Sequence, residues 1–117
     1  MHGKWGLLDI QDCQQAVIEL GKLGLVDPNR ACICGESAGG YTTLQAATTL
    51  PDFFAAGAAL YGVSDMKQLC DVLHKFEYWF ADRLMGGSYE EIPHVWKERS
   101  PIYHVDKIKM PLLVRYI

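Results

Sequence analysis

An α/β fold with parallel strands is predicted for this chain, on three observations. Three short apolar runs, RACICG, AAGAALYG and MPLLVRYI, have the length and composition of buried strands. Between them lie stretches whose apolar residues recur at helical spacing. The first run also passes through a glycine-bounded turn, G-E-S-A-G-G, straight into one of those helical stretches. Strands alternating with helices indicate a parallel sheet, with right-handed crossovers.

The elements follow in order. Ile10, Cys13, Val17, Leu20 and Gly24 recur at helical spacing, with Gln11, Gln14, Gln15 and Glu19 off that face. This predicts an amphipathic helix over about 8–23, ended by Gly24. VDPNR is a turn, because Asp27-Pro28 sets a bend. RACICG is the first strand, and AGGYTTLQAATTL the helix behind it. Thr42, Thr43, Thr48 and Thr49 are poor helix formers, so packing must hold that helix, and Pro51-Asp52 closes it. Residues 55–62 form a second strand, whose small side chains let helices press close.

From Ser64 the pattern turns helical, with Ser64 or Asp65 as N-cap. Leu73, Phe76, Phe80 and Leu84 make one apolar face, with Trp79 beside it. MGGSYEE breaks the helix, and Ser88 with Glu91 fits a capping box for another helix through Arg99. RSPIYHVDKIK is expected to be an extended connection before the third strand, MPLLVRYI. Three strands make a thin sheet with at least one unpaired apolar edge, open to self-association.

Composition narrows the function. With 117 residues the chain is one unit, and with half of them hydrophobic it can bury a core. Net charge is -3 and no basic run of five occurs, so a nucleic-acid or anionic-membrane surface is not expected. No apolar run reaches the ~20 residues of a membrane span, and the N-terminus lacks the form of a secretory signal. A cytoplasmic location is the simplest expectation. Cys13, Cys32, Cys34 and Cys70 show no zinc-type or CxxC spacing. They are expected to be reduced and mostly buried, with Cys32 and Cys34 on one face of the strand. No metal or cofactor is indicated.

The chemistry is carried by Gly35-Glu36-Ser37-Ala38-Gly39, a G-x-S-x-G pattern between strand and helix. In such a turn the serine sits at a strained apex with its hydroxyl lifted above the sheet. Gly35 and Gly39 carry no Cβ, so neighbouring chain can approach. The Ala38 N–H, at the helix start, can stabilise an oxyanion. Glu36 favours the positive end of the helix or meets a substrate amine. A dinucleotide-binding turn would require glycine where Ser37 stands, and Asp65 is a poor match for its ribose-binding acid.

WGLLDIQDC, GLVDPNR, GESAGGYTTL, YGVSD, HKFE and RSPIYHVDKIKMPLL together resemble the catalytic domain of prolyl oligopeptidase-family serine peptidases. The similarity is greatest to the acylaminoacyl-peptidase-like and dipeptidyl-peptidase-like branch, and it runs from Trp5 to Leu113. The resemblance implies part of an α/β-hydrolase fold with an incomplete sheet, and hydrolysis of short peptides or aminoacyl substrates by a Ser-Asp-His triad. It makes Ser37 the nucleophile and the Ala38 N–H one oxyanion donor. Tyr61 and the segment from Val63 onward then line one side of the site.

The resemblance also implies that residues 1–117 are a fragment of one catalytic domain. The family's second oxyanion donor comes from a segment before Trp5, and its acid and histidine from segments after Ile117. No local histidine fits the triad: His2, His74, His94 and His104 read as surface or cap residues, Asp65 as a cap and Asp106 as a connection residue. The isolated chain is therefore expected to be inert. Two alternatives remain: a carboxylesterase or lipase on the same fold, since GESAGG also resembles the hormone-sensitive-lipase motif, and a non-catalytic interaction fragment.

Overall fold

The computed structural model describes residues 2–72 and 75–116. Helix α1 spans Leu8–Lys22, strand β1 Cys32–Glu36, helix α2 Ala38–Thr49 and strand β2 Ala56–Leu60. Helices α3 (Met66–Val72), α4 (Lys75–Met85) and α5 (Pro93–Glu98) precede strand β3 (Leu112–Arg115). The strands are parallel in the order β1-β2-β3, with Ile33 opposite Gly57 and Gly57 opposite Leu112. This is the expected α/β architecture. Among the described residues no helix is long and apolar enough to cross a membrane.

The local signals explain most boundaries. Gly24, at φ +69°, lets α1 end in a Schellman motif: Leu25 N–H donates to Leu20 O and Gly24 N–H to Gly21 O, both at 3.0 Å. Of the two N-cap candidates at α3, Asp65 does the capping; its Oδ1 accepts from Lys67 N–H at 2.9 Å and Gln68 N–H at 3.3 Å.

The threonines of α2 turn their hydroxyls back onto the helix, as Thr43 does to Gly39 O at 3.0 Å and Thr49 to Gln45 O at 2.7 Å. Burial compensates, for Tyr41 and every residue from Thr43 to Thr48 are buried. Helix α2 lies between two cores. One gathers Ile10, Ile33, Ala46, Ala47, Phe54 and Met110, and the other Tyr41, Met66, Cys70, Ala81, Met85 and Trp96. Small residues on β2 allow the close packing: a Cβ at Gly57 would lie 2.8 Å from Met110 Cε and 3.4 Å from Thr43 Cγ2.

Four expectations are corrected. The Ser88–Glu91 box forms, with Ser88 N–H to Glu91 Oε2 at 3.0 Å and Glu91 N–H to Ser88 Oγ at 3.3 Å. It closes a single turn, because Pro93 holds Ile92 outside the helical region (φ −133°, ψ 53°) and α5 starts afresh at Pro93. The expected extended connection is instead 3-10 helical over Pro101–Lys107, started by Pro101 and kinked at His104.

On α4, Phe80 and Trp79 are exposed, and the helix packs through Ala81 and Met85. Four residues apart, these two share a face, and small Ala81 allows close approach to the second core. The side chain of Phe76, and both Leu73 and His74, fall outside the described residues. Finally, Cys32 and Cys34 do share a face, but an exposed one. Ile33, on the opposite face, packs with the first core, whereas the face of Cys32, Cys34 and Leu113 carries no helix among the described residues.

Candidate active site

The turn after β1 has the geometry of a nucleophile elbow. Ser37 sits at φ 52°, ψ −115°, a region that side-chain-bearing residues rarely occupy. Two backbone hydrogen bonds hold it there: Ser37 N–H donates to Leu60 O at 2.9 Å, and Tyr41 N–H donates to Ser37 O at 3.0 Å, opening α2. Tyr61, at the end of the neighbouring strand, also has positive φ (53°), and its N–H reaches Arg115 O at 2.8 Å. Two strained residues thus stand side by side at the C-terminal edge of the sheet, a place where parallel α/β sheets hold their sites.

The glycines act unequally. A Cβ on Gly35 would lie 2.5 Å from the Gly39 carbonyl carbon and oxygen, so the turn closes only without one. At Gly39 itself nothing lies within 4 Å of a Cβ position, so Gly39 is not where the chain crowds. The second close approach joins Gly40 and Gly62, where either Cβ would meet the other's backbone at 2.7 Å. The sequence reading passed over both. The doubled glycine of GESAGG and the glycine after Tyr61 were the available signals, but their pairing is a tertiary fact.

Ser37 and Ala38 are exposed, and among the described residues no group hydrogen-bonds Ser37 Oγ. The Ala38 N–H is at the first position of a 12-residue helix, where main-chain N–H groups have no intrahelical acceptor. Glu36, the last residue of β1, is exposed. Beside Ser37 opens a cavity of about 180 Å³, lined by Trp5, Ser37, Ala38, Val63, Leu69, Phe80 and Ala81. Apart from the serine hydroxyl and the indole N–H of Trp5, the side chains that line it are apolar. Val63 and Leu69 belong to the segment expected there, whereas Tyr61 is not among the lining residues; Trp5, Phe80 and Ala81 come from distant parts of the chain and carry no local signal. Two larger depressions, about 560 Å³ each, include no residue of the turn.

The described histidines lie elsewhere. His104 Nε2 pairs with Glu98 O at 2.9 Å, His94 is exposed, and His2 lines a depression with Trp79 and Asp82. Asp65 is engaged as a cap and Asp106 is exposed. Tyr41, directly behind the turn, is fully buried and donates to Arg99 O at 2.9 Å. Burial, reinforced by Asp9, raises its phenol above the usual tyrosine range. Asp9 also ties the N-terminal segment to α2, accepting from Gly6 N–H at 2.8 Å and Thr42 Oγ1 at 2.9 Å. Among the described residues no cluster of histidine, cysteine or carboxylate side chains could hold a metal ion.

The sequence model of the prolyl oligopeptidase family matches residues 1–115. The chain belongs to the prolyl oligopeptidase family. It is 32% identical to an acylamino-acid-releasing enzyme of Arabidopsis thaliana, covering 97% of this chain and 16% of that one. It is 33% identical to dipeptidyl aminopeptidase BIII of Pseudoxanthomonas mexicana, covering 97% and 17%. The structure of a Mycobacterium tuberculosis puromycin-hydrolyzing peptidase superposes with a TM-score of 0.90 at 35% identity, over 97% of this chain and 17% of that one. For an acylaminoacyl peptidase of Pyrococcus horikoshii the values are 0.82 and 29%, over 97% and 18%. The chain thus spans about one sixth of the length of these relatives. Its α/β arrangement is part of the α/β-hydrolase domain of prolyl oligopeptidase-family structures.

Proposed function

We propose that residues 1–117 carry the nucleophile of a serine peptidase acting on short peptides or aminoacyl substrates. The observation that carries this is Ser37: a strained, exposed serine between an apolar cavity and an unsatisfied helix-start N–H. Membership of the prolyl oligopeptidase family and likeness to peptidases that release acylamino acids or dipeptides support the same chemistry.

In this mechanism Ser37 Oγ attacks the carbonyl carbon of the scissile amide. The Oγ proton passes to a base, and the Ala38 N–H, at the positive end of α2, donates to the developing oxyanion. The carbon–nitrogen bond then breaks, and the amine leaves with the proton returned by the base. Water hydrolyses the ester on Ser37. The cavity is smaller than a typical ligand pocket and suits one apolar side chain of the substrate. No described histidine hydrogen-bonds Ser37 Oγ, and the family resemblance assigns the base to a segment outside these residues, which supports reading residues 1–117 alone as inert. Removing triad members from such an enzyme leaves only weak residual catalysis.

A fluorophosphonate probe tests the inert state: the purified chain should show no rapid labelling at Ser37. Rapid labelling abolished by Ser37→Ala would overturn it and imply a local base. A protein that joins these residues to the acid-and-histidine segment of the family should cleave aminoacyl-4-nitroanilides. Cleavage of 4-nitrophenyl esters without amide cleavage would replace the peptidase reading with an esterase.

A further inference from the structure

Arg99 stands out because its charge is used on main-chain carbonyls alone. Its Nη1 lies 2.9 Å from Gly3 O, 3.3 Å from Trp5 O and 3.5 Å from Met85 O. Among the described residues it makes no ion pair. The first two carbonyls belong to the N-terminal segment and the third to the end of α4. These two elements are also joined by Gly3 N–H to Arg83 O at 3.0 Å and Trp5 N–H to Leu84 O at 3.2 Å.

The same two elements wall the cavity beside Ser37. Trp5 comes from the N-terminal segment, Phe80 and Ala81 from α4. Trp5 rests on Tyr41 with ring centroids 4.9 Å apart, and the Tyr41 hydroxyl donates to the carbonyl of Arg99. Gly6, at φ +81°, carries the chain directly over that hydroxyl, where a Cβ would collide with Tyr41 Oη. Position 99 therefore holds Trp5 twice: the guanidinium through the carbonyl of Trp5, and the main-chain carbonyl, which a substitution keeps, through the tyrosine beneath its ring. Donation from a cation to a carbonyl is stronger than a neutral hydrogen bond, and one guanidinium can serve several carbonyls at fixed angles.

We propose that Arg99 is a positioning residue that sets the width of the apolar cavity beside Ser37, and so selects the substrate side chain placed there. This rests on reading that cavity as the substrate's side-chain seat. Arg99 itself does not line the cavity. Its loss frees Trp5 and the end of α4 to move apart, which weakens the discrimination of large from small side chains.

The test titrates the 117-residue chain with the N-acetyl amides of phenylalanine, leucine and alanine, read from the amide cross peaks of Ala38 and Ala81. The native chain should prefer the phenylalanine or leucine amide over the alanine amide by roughly tenfold, the scale of apolar-pocket discrimination. Arg99→Ala should bring the three within about twofold, and Arg99→Lys, which keeps a cation, should restore part of the preference. A loss of preference among probes, in a chain whose other cross peaks stay dispersed, is not what a general loss of stability produces. If Arg99→Ala loses dispersion, Arg99→Gln is read by the same ratio. A native preference that survives in the folded variant overturns the role of Arg99 and leaves the cavity reading standing. Absence of preference in the native chain overturns the cavity reading, and this inference with it.

Discussion

Tyr41 donates its hydroxyl to the main-chain carbonyl of Arg99 at 2.9 Å, across 58 positions of sequence. This bond joins the helix behind the serine turn to the end of α5, and both partners hold Trp5. The ring is completely buried, so the hydroxyl has no water to fall back on.

Two consequences of that bond can be measured. Tyr41→Phe leaves the Arg99 carbonyl without this donor and should cost about 1–2 kcal/mol in a denaturant titration. Stability should also depend on alkaline pH. Burial first, then Asp9, raise the Tyr41 phenol above its ordinary value of 10.0, with Arg99 opposing in part. The folded chain holds the proton more tightly than the unfolded chain. The contribution is therefore fully present below pH 10 and is lost as pH rises beyond it. Denaturation across alkaline pH should show this fall, and Tyr41→Phe should flatten it.

The elbow glycines should respond differently to the same substitution. Gly40→Ala and Gly62→Ala place a methyl group 2.7 Å from backbone and should each cost about 1–3 kcal/mol. Gly39→Ala meets nothing within 4 Å and adds a helix former to α2, so it should be neutral or stabilising by up to about 1 kcal/mol. Thermal melts of the three variants check the order. Equal losses would show that the crowding is misplaced.

The four thiols should react in a definite order. Cys32 and Cys34 are exposed on the open face of β1, whereas Cys70 is buried. Burial, then Asp82 and Asp71, push the Cys70 thiol up to about 11, and burial with Asp9 and Asp12 raises Cys13. Only the thiolate reacts, so iodoacetamide near neutral pH should modify Cys32 and Cys34 first, Cys13 later and Cys70 last. Peptide mapping over time reads this directly. Early loss of Cys70 would show that the second core opens readily.

The sheet should make the isolated chain associate. β1 and β3 each pair on one side only, and Leu113 is 63% exposed on the helix-free face. Sedimentation should show mass rising with concentration, and Leu113→Lys should reduce it. An unchanged monomer at all concentrations would remove the association proposal.

Much of this was legible in the sequence because its causes are local. The Schellman end at Gly24, the cap at Asp65 and the strand–turn–helix around Ser37 each depend on residues a few positions apart. Proline misled twice for a related reason. Pro93 and Pro101 restrict their own φ and the residue before them, but neither restriction says whether the chain then extends or coils. On α4 the apolar spacing named a face containing Phe80. The packed face runs through Ala81 and Met85 because the second core accepts a small residue at the contact.

By itself, the sequence determined an α/β unit with Ser37 in a strand–turn–helix, because backbone preference and hydrophobic period are properties of short segments, and its motifs in order carried the resemblance to the prolyl oligopeptidase family. The tertiary structure alone decided which glycines are crowded, which thiols are open, and which side chains surround the serine. Gly40 against Gly62, Trp5 over Tyr41, and Arg99 on the carbonyls of Gly3 and Trp5 join segments distant in the chain. Their spacing follows from how helices and sheet pack at close density, and no local pattern encodes it.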